Sequence, residues 1–468
     1  MMDKLKKNKL FILYFVLILC FSLFSLVFFV YDSDYFWHIK AGEVMVKNSK
    51  ILTHDVFSWY MNGKYWSSHE WLFEVLIYGM STIFSKYHVY IYCFLTFLVL
   101  QLMPFLTNRE SYLKNIPFSM LWISLSAILF FFLQARPHMI SFCLFSITLL
   151  ILYDIYNNEK SKKYLFFPLI SLCWVNFHGG SSNLVYLLPV LFLVAGLFSF
   201  ESSKISAKRY TKTQIKKYIL CIILGFFPLF LNPHGVKMIL YPYQNMGNSV
   251  MLANIVEWHC SDLNNLSHYP YFLLVFLIFI ILIFSKKKIR FLDFILFLFT
   301  LYLGLKSIRF WPFIYISMSY CIWYYIPKRK LDTGTSFVLV SLSVIFVSLF
   351  LFFKPGTVNY KILDDKAINV LKKEKAERLF NYYDYGGYLI YKDVLVFMDG
   401  RADLYSEYNY EDYLNISSLG PNYDKLLRKY DFDYFIIPKD CGLAFYLKDM
   451  DHYKKIYSDC DVVVYKTI

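Results

Sequence analysis

The sequence lacks the motifs that would assign it to several familiar protein classes. Its nine cysteines are scattered and form no CxxC pair, which gives no sign of a zinc ribbon or a dithiol site. The stretch HEWLF lacks the second histidine of the HExxH motif, so a zinc protease of that type is excluded. No basic–aromatic patch accompanies the net charge of +14, so the charge does not point to nucleic acid as a partner.

Charged residues are also scarce. They make up 18% of the chain, whereas hydrophobic residues make up 58% and the mean hydropathy is +0.44. A soluble protein of 468 residues does not need so much apolar surface, so the composition predicts a multi-pass membrane protein. Apolar runs suited to spanning helices occur near 10–31, 88–106, 117–134, 138–155, 164–178, 183–200, 217–232, 269–285, 290–305, 309–326 and 335–353.

The charge of the loops predicts the topology. Segment 69–87 contains two glutamates and suits either an interfacial helix or a twelfth span. If it does not cross the membrane, all the lysine-rich loops fall on one side, and the positive-inside rule then favours about 11 transmembrane helices. The N-terminus is then cytoplasmic and the C-terminus extracytoplasmic, and we expect the membrane to be a bacterial plasma membrane.

The predicted fold is therefore a polytopic α-helical membrane protein with two domains. The transmembrane domain covers 1–354 and has its first outer loop at 32–87. Residues 355–468 alternate strand-like runs (LVFMDG, DYFIIP, DVVVYK) with helix-like ones (KAINVLKKEK, YDKLLRKY). This alternation predicts an extracytoplasmic α/β domain at the C-terminus.

The predicted topology places all ten histidines in, or at the edge of, extracytoplasmic segments. They are His38, His54, His69, His88, His138, His178, His234, His259, His268 and His452. The greater length of the outer segments, and the frequency of histidine at helix ends, is one explanation. A polar cavity facing outward explains the bias better, and we predict one.

Two aspartates, Asp32 and Asp34, follow the first apolar run directly. A carboxylate at a bilayer edge is costly unless it is paired or functional, and one near a bound hydroxyl can act as a general base. Helix capping is the alternative, because aspartate often precedes a helix. On a helix, Asp34 and His38 would share a face as a metal-ligand pair. Of the neighbours His69 and Glu70, we expect at most one to point into a shared site.

Other candidate residues lie at the outer ends of the predicted spans or in the C-terminal domain. The cations Arg136, Lys306 and Arg309 either snorkel to lipid headgroups or grip the phosphate of a lipid-linked substrate. The polar residues of NFHGG and NPHG either bind a sugar or end a helix. Asp399 and Arg401 follow an apolar strand, where ligands of open α/β sheets bind, although a turn is the alternative there. The candidate substrate-binding residues are His38, His69, Glu70, His178, Asn232, His234, Glu257, His259, Asp399 and Arg401.

The stretches that carry these residues resemble a group of prokaryotic GT-C type membrane glycosyltransferases over nearly the whole chain. They are DSDYFWHIKAGE, HDVFSW, SSHEWLFEV, ARPHMIS, WVNFHGG, LNPHG, IVEWH, KSIRF, GGYLI and FMDGRADLY. The resemblance implies a sugar donor linked to polyprenyl phosphate and an aspartate of the first outer loop as the general base. That role passes to Asp34 or Asp32, with Asp34 favoured because it is nearer the helix and His38.

The resemblance also implies a single displacement that inverts the sugar, with Arg136, Lys306 and Arg309 on the leaving phosphate. The acceptor hydroxyl would belong to a cell-envelope glycan, a lipid or a protein. Some GT-C members use a divalent cation, and the acids and histidines here permit one without requiring it. The alternatives are a polymerase or ligase for lipid-linked glycans, and a non-catalytic lipid-sugar binder or flippase. The nearly uncharged middles of the apolar runs speak against a flippase.

Overall fold

The computed structural model describes residues 2–29, 32–66, 68–245, 255–326, 336, 338–343, 363–405 and 407–468. The chain packs into two units, one of Met1–Val30, Val89–Pro242 and Ile255–Val358 and the other of Tyr31–His88, Tyr243–Asn254 and Asn359–Ile468. The second unit therefore joins the first predicted outer loop to the C-terminal segment.

In chain order the described helices are α1 (Met2–Ser25), α2 (Ser33–Asn48), α3 (Trp71–Phe84), α4 (His88–Thr107), α5 (Arg109–Lys114), α6 (Ile116–Leu125), α7 (His138–Asn157), α8 (Phe167–Phe177), α9 (Leu184–Leu197), α10 (Lys212–Phe226), α11 (Val236–Asn245), α12 (Tyr269–Phe284), α13 (Phe291–Lys306), α14 (Trp311–Cys321), α15 (Asp365–Glu374), α16 (Gly386–Tyr391), α17 (Glu407–Ser417), α18 (Tyr423–Tyr430) and α19 (Gly442–Asp449).

Apolar helices dominate the first unit, as the composition predicts. Within the described ranges, six helical stretches are long and apolar enough to cross a membrane: Asn8–Phe28, Trp71–Thr107, His138–Asn157, Gly179–Leu197, Lys212–Phe230 and Leu266–Phe284. The expected helices near 290–305 and 309–326 are present as the shorter α13 and α14. The run at 335–353 lies largely outside the described residues, so the number of about 11 spans stays a prediction.

The ambiguous segment 69–87 forms α3, which a short 3₁₀ turn at Ser85–Tyr87 connects to α4. By length and composition, Trp71–Thr107 is a single apolar stretch of 37 residues. Whether its first half crosses the membrane or lies at the interface stays a prediction.

The first unit contains three short strands, β1 (Phe200–Glu201), β2 (Ile205–Ala207) and β3 (Ile289–Arg290). The strands of the second unit are β4 (Leu379–Asn381), β5 (Tyr434–Pro438), β6 (Tyr453–Ser458) and β7 (Val462–Thr467), and they form a sheet in the order β4-β5-β7-β6. Strand β4 runs parallel to β5, and β7 is antiparallel to both β5 and β6. The predicted strands DYFIIP and DVVVYK correspond to β5 and β7. The predicted strand LVFMDG is instead an irregular segment that makes one isolated bridge, from Val396 to Ser58.

Helices α2 and α3 cross at very short range because Gly42 has no side chain. A Cβ at Gly42 would lie 2.0 Å from the carbonyl oxygen of Glu74 and 2.9 Å from Cβ of Tyr78. Gly42→Ala is therefore expected to push the helices apart and to cost about 1–3 kcal/mol of stability.

Gly79, on α3, is the matched control for this prediction. A Cβ at Gly79 meets nothing within 4 Å, so Gly79→Ala should be neutral or should stabilise the helix by up to about 1 kcal/mol. Thermal unfolding of both purified variants in detergent checks the pair. Equal effects at the two glycines would contradict the close helix crossing.

Candidate functional site

The two aspartates that follow the first apolar run have different local environments. Asp32 is the N-cap of α2, and its Oδ1 accepts the backbone N–H of Asp34 at 2.8 Å. The capping alternative therefore holds for Asp32, which is buried. Asp34 lies in the first turn of the helix and is half-buried.

The Asp34 carboxylate rests against the MDGR loop of the C-terminal segment. A Cβ at Gly400 would lie 1.7 Å from Asp34 Oδ1, so only glycine fits there. Gly387 similarly lets the GGYLI helix approach the start of α2, because a Cβ there would lie 2.1 Å from the carbonyl oxygen of Ser33. These two glycines explain how residues some 350 positions apart in sequence (34 to 387 or 400) come together.

Tyr383 and Asp384 lie near the two aspartates. Burial, reinforced by the Asp34 charge, raises the pKa of Tyr383 well above its usual value, so its hydroxyl keeps its proton and remains a hydrogen-bond donor. Burial and the charge of Asp32 also raise the pKa of Asp384. The start of α2 therefore lies in an acidic environment built from both ends of the second unit.

Arg401 forms a buried ion cluster beside Asp34. Its Nε and Nη2 donate to the two oxygens of Asp399 at 2.8 and 2.7 Å, and its Nη1 donates to Asp55. The Tyr405 hydroxyl donates to Asp399 Oδ2 at 2.7 Å. All three charged side chains of the cluster are fully buried. Asp399 and Arg401 therefore join the predicted first outer loop to the C-terminal segment here, and their predicted substrate contact stays a prediction.

His38, Glu70 and Glu74 form a second buried cluster. His38 Nε2 lies 3.5 Å from Glu70 Oε2, and His38 Nδ1 lies 3.4 Å from Glu74 Oε1. The imidazole packs against Trp37, whose ring centroid is 3.6 Å away, and against Phe73, whose ring is nearly perpendicular to it. His38 thus contacts two glutamates rather than Asp34, the partner that the four-residue spacing suggested.

His69 extends this cluster toward the C-terminal segment. Its Nε2 lies 3.4 Å from Glu70 Oε1 and its Nδ1 lies 3.6 Å from Asp403 Oδ2. Burial opposes charge on this imidazole, but the Glu70 and Asp403 carboxylates outweigh it and raise the pKa of His69 to about 10. The expectation that only one of His69 and Glu70 would point into the site is wrong. It assumed that both lie on a helix, whereas α3 begins at Trp71 and both residues precede it.

The arginines of the first unit that are predicted to bind phosphate differ in whether they form an ion pair. Arg136 Nη1 donates to Glu257 Oε1 at 2.8 Å. The EWH segment that carries Glu257 is attached to KSIR, since Ser307 Oγ donates to the Glu257 carbonyl at 2.9 Å and the Ile308 N–H donates to the His259 carbonyl at 3.0 Å.

Arg309 is half-buried. Among the residues that the structure describes, it makes no ion pair within 4 Å. Its Nη2 lies 3.4 Å from Nε2 of His178.

A hydroxyl network fixes the His178 ring. Its Nδ1 lies 2.7 Å from Ser141 Oγ and 3.1 Å from Ser181 Oγ. Trp174 Nε1 donates to both hydroxyls, at 3.0 and 3.2 Å. With Nδ1 held in this way, the Nε2 edge of His178 faces Arg309, so an imidazole and a guanidinium lie side by side.

The remaining predicted residues differ in their surroundings. Asn232 closes the NPHG turn, because its Nδ2 donates to the Leu229 and Gly235 carbonyls and its Oδ1 accepts the N–H of His234. His234 is buried within the first unit. Lys306 is exposed at the end of α13.

Several residues of these clusters escaped the sequence interpretation. Asp55, Glu74 and Asp403 each contact a predicted residue. The sequence does offer a reason to include Glu74, because a residue four positions after Glu70 lies on the same face of a helix as Glu70. Asp55 and Asp403 lie in the stretches HDVFSW and FMDGRADLY, but no local spacing indicates their partners, which are distant in sequence.

Comparison with known proteins gives the fold. No family model matches the chain, and no curated protein matches it. Among solved structures it is similar to the oligosaccharyltransferase of Archaeoglobus fulgidus crystallised with a tethered acceptor peptide containing the NVT sequon. That likeness has a TM-score of 0.56 and 12% identity over 97% of this chain and 74% of that chain. The apo form of the same enzyme has a TM-score of 0.47 and 10% identity over 91% of this chain and 69% of that one. Because that oligosaccharyltransferase is a GT-C type enzyme, the chain has a GT-C type fold, and at 12% identity the likeness extends to the fold alone.

Proposed function

We propose that this protein is a GT-C type glycosyltransferase of the bacterial plasma membrane. It moves a sugar from a polyprenyl-phosphate carrier to an acceptor hydroxyl on the outer face, in one inverting displacement. The observation that carries the proposal is the position of Asp34, on a helix that directly follows the first apolar span in a chain with a GT-C type fold. The identity of the sugar and the acceptor lies outside the proposal.

The two candidate bases separate by geometry. The Asp32 carboxylate is used in capping α2, whereas Asp34 lies beyond the cap among ionisable groups. In the proposed step, the oxygen of the acceptor hydroxyl attacks the anomeric carbon while a carboxylate oxygen of Asp34 takes the hydroxyl proton. The bond to the lipid phosphate breaks, and the phosphate leaves with its electron pair.

Arg309 is the preferred cation for the leaving phosphate. Arg136 is neutralised by Glu257, whereas Arg309 makes no ion pair among the described residues and lies beside His178. The guanidinium offers several N–H donors to one phosphate, and His178 Nε2 accepts from one of them. The role of Arg309 is argued from contacts within the first unit alone, and it is tested separately from the role of Asp34 as general base.

Arg309→Gln is expected to lower kcat/KM by roughly 10–100-fold, because a charge-assisted hydrogen bond to the phosphate is lost. Lys306→Gln, which changes an exposed cation three residues away, should stay within about twofold of wild type. The measurement is transfer from a polyprenyl-phosphate sugar by purified protein in detergent. Equal losses in the two variants would contradict the assignment of Arg309.

The experiment that tests the function itself compares the envelope glycans of a deletion strain and a complemented strain by mass spectrometry. Loss of a mass the size of one sugar in the deletion, and its return on complementation, supports the transferase and identifies the acceptor. Loss of a whole oligosaccharide would favour the polymerase or ligase. Unchanged glycans, with accumulation of a lipid-linked sugar on one face of the membrane, would favour the flippase.

A further inference from the structure

The buried cluster of His38, Glu70 and Glu74 has the composition of a metal site. Each residue can offer one ligand atom such that all three atoms lie within 4.8 Å of one another. His38 and Glu74 are fully buried, and Glu70 is 7% exposed. The ligands come from α2, from α3 and from the residue just before α3, so an ion here would connect the two helices.

Polar atoms in this cluster face one another at 3.4 and 3.5 Å, but three of them make no hydrogen bond among the described residues. Both ring nitrogens of His38 and Oε1 of Glu74 are buried and make no hydrogen bond among the described residues. Buried polar atoms are rarely left so, and a buried carboxylate without a counter-charge is costly. The second oxygen of Glu74 is held by the Ser68 hydroxyl at 2.8 Å. This bond turns Oε1 toward the imidazole, as outer hydrogen bonds do for metal-binding carboxylates.

The donor set indicates the class of ion. One imidazole with two carboxylates suits Zn²⁺, Mn²⁺ or Fe²⁺ better than Mg²⁺ or Ca²⁺, which prefer oxygen ligands alone. Two ligands about 2.1 Å from a tetrahedral ion lie about 3.4 Å apart. On one edge of the ring, His38 Nε2 lies 3.5 Å from Glu70 Oε2, and on the other edge Nδ1 lies 3.4 Å from Glu74 Oε1, so either pair matches the spacing of two ligands on one ion. The ion takes one nitrogen of His38 together with one oxygen from each glutamate, since one ligand atom of each residue lies within 4.8 Å of the other two.

We propose that His38, Glu70 and Glu74 bind one divalent transition-metal ion of the Zn²⁺ or Mn²⁺ class. The ion ties α2 to α3 and so fixes the helix that carries Asp34, one turn before His38. Its two charges compensate the two buried glutamates. The proposal is independent of the transferase activity, because it concerns metal content and stability.

The test measures metal content and thermal stability of the full-length chain, purified in detergent with a tag that contains no histidines. Wild type should retain about one Zn²⁺ or Mn²⁺ per chain, and His38→Gln and Glu74→Gln should each lose most of it. Glu43→Gln is the matched control, because Glu43 lies on α2 and pairs with Lys40 outside the cluster. It should keep the metal.

Chelation provides a second readout. A chelator should lower the Tm of wild type and of Glu43→Gln by several degrees, added Zn²⁺ or Mn²⁺ should restore it, and Glu74→Gln should respond to neither. If Glu74→Gln does not fold, the wild-type response to chelator and metal decides the question. A metal-free wild type whose Tm ignores both ions would overturn the proposal in favour of an imidazolium held between two carboxylates. Metal retained by both cluster variants would overturn it as well.

Discussion

Asp34→Asn is expected to abolish sugar transfer while leaving the protein folded. Asparagine has the size of aspartate but cannot take up the proton of the acceptor hydroxyl. A positioned general base contributes about 10²–10⁴-fold to rate, so we expect kcat to fall by roughly 10³-fold. Substrate binding should change much less, because the shape of the site is kept. In cells restored with equally abundant Asp34→Asn protein, the glycan mass that the deletion removes should stay missing.

Asp32→Asn is the matched control, two residues away. Asparagine caps a helix about as well as aspartate, so α2 should keep its N-terminus and transfer should stay within a few-fold of wild type. Asp32→Ala removes the cap and should cost about 1 kcal/mol of stability. Full activity of Asp34→Asn, with loss of activity in Asp32→Asn, would reverse the assignment of the base. Full activity of both would move the function to binding or transport.

The helices could be predicted from the sequence because their signal is local. An apolar run long enough to span a bilayer predicts a helix whatever surrounds it, and α4 and α7 lie where their runs do. The same holds for α2, whose capping aspartate directly precedes it. For these helices, the local sequence pattern is sufficient to predict where the helix lies.

The composition of the clusters could not be predicted, because it depends on distant segments meeting. Asp55 contacts Arg401 across 346 positions, and no feature near either residue indicates the partner. His69 and Glu70 were misjudged because the pattern does not show that α3 begins one residue later. The segment LVFMDG reads as a strand by composition, yet the structure gives it only one bridge, to Ser58.

Arg401→Met is expected to be the most destabilising substitution considered. It removes the guanidinium that compensates Asp55 and Asp399, and all three side chains are fully buried. Breaking such a cluster from one side leaves uncompensated charge in the interior, which costs about 3–5 kcal/mol. Arg378→Met is the control, because Arg378 pairs with Asp431 in the same unit but both side chains are largely exposed. An exposed pair contributes about 0–1 kcal/mol, so this variant should unfold at nearly the wild-type temperature.

A double variant separates the loss of charge compensation from the loss of packing. If uncompensated carboxylate is the cause, Arg401→Met combined with Asp55→Asn should recover part of the lost stability, because one buried charge is removed with its partner. If packing is the cause, the second substitution should lower stability further. The comparison is made by thermal unfolding, in detergent, of the purified wild type, Arg401→Met, Arg378→Met and the double variant. An Arg401→Met protein as stable as Arg378→Met would mean that the cluster does not hold the first outer loop to the C-terminal segment.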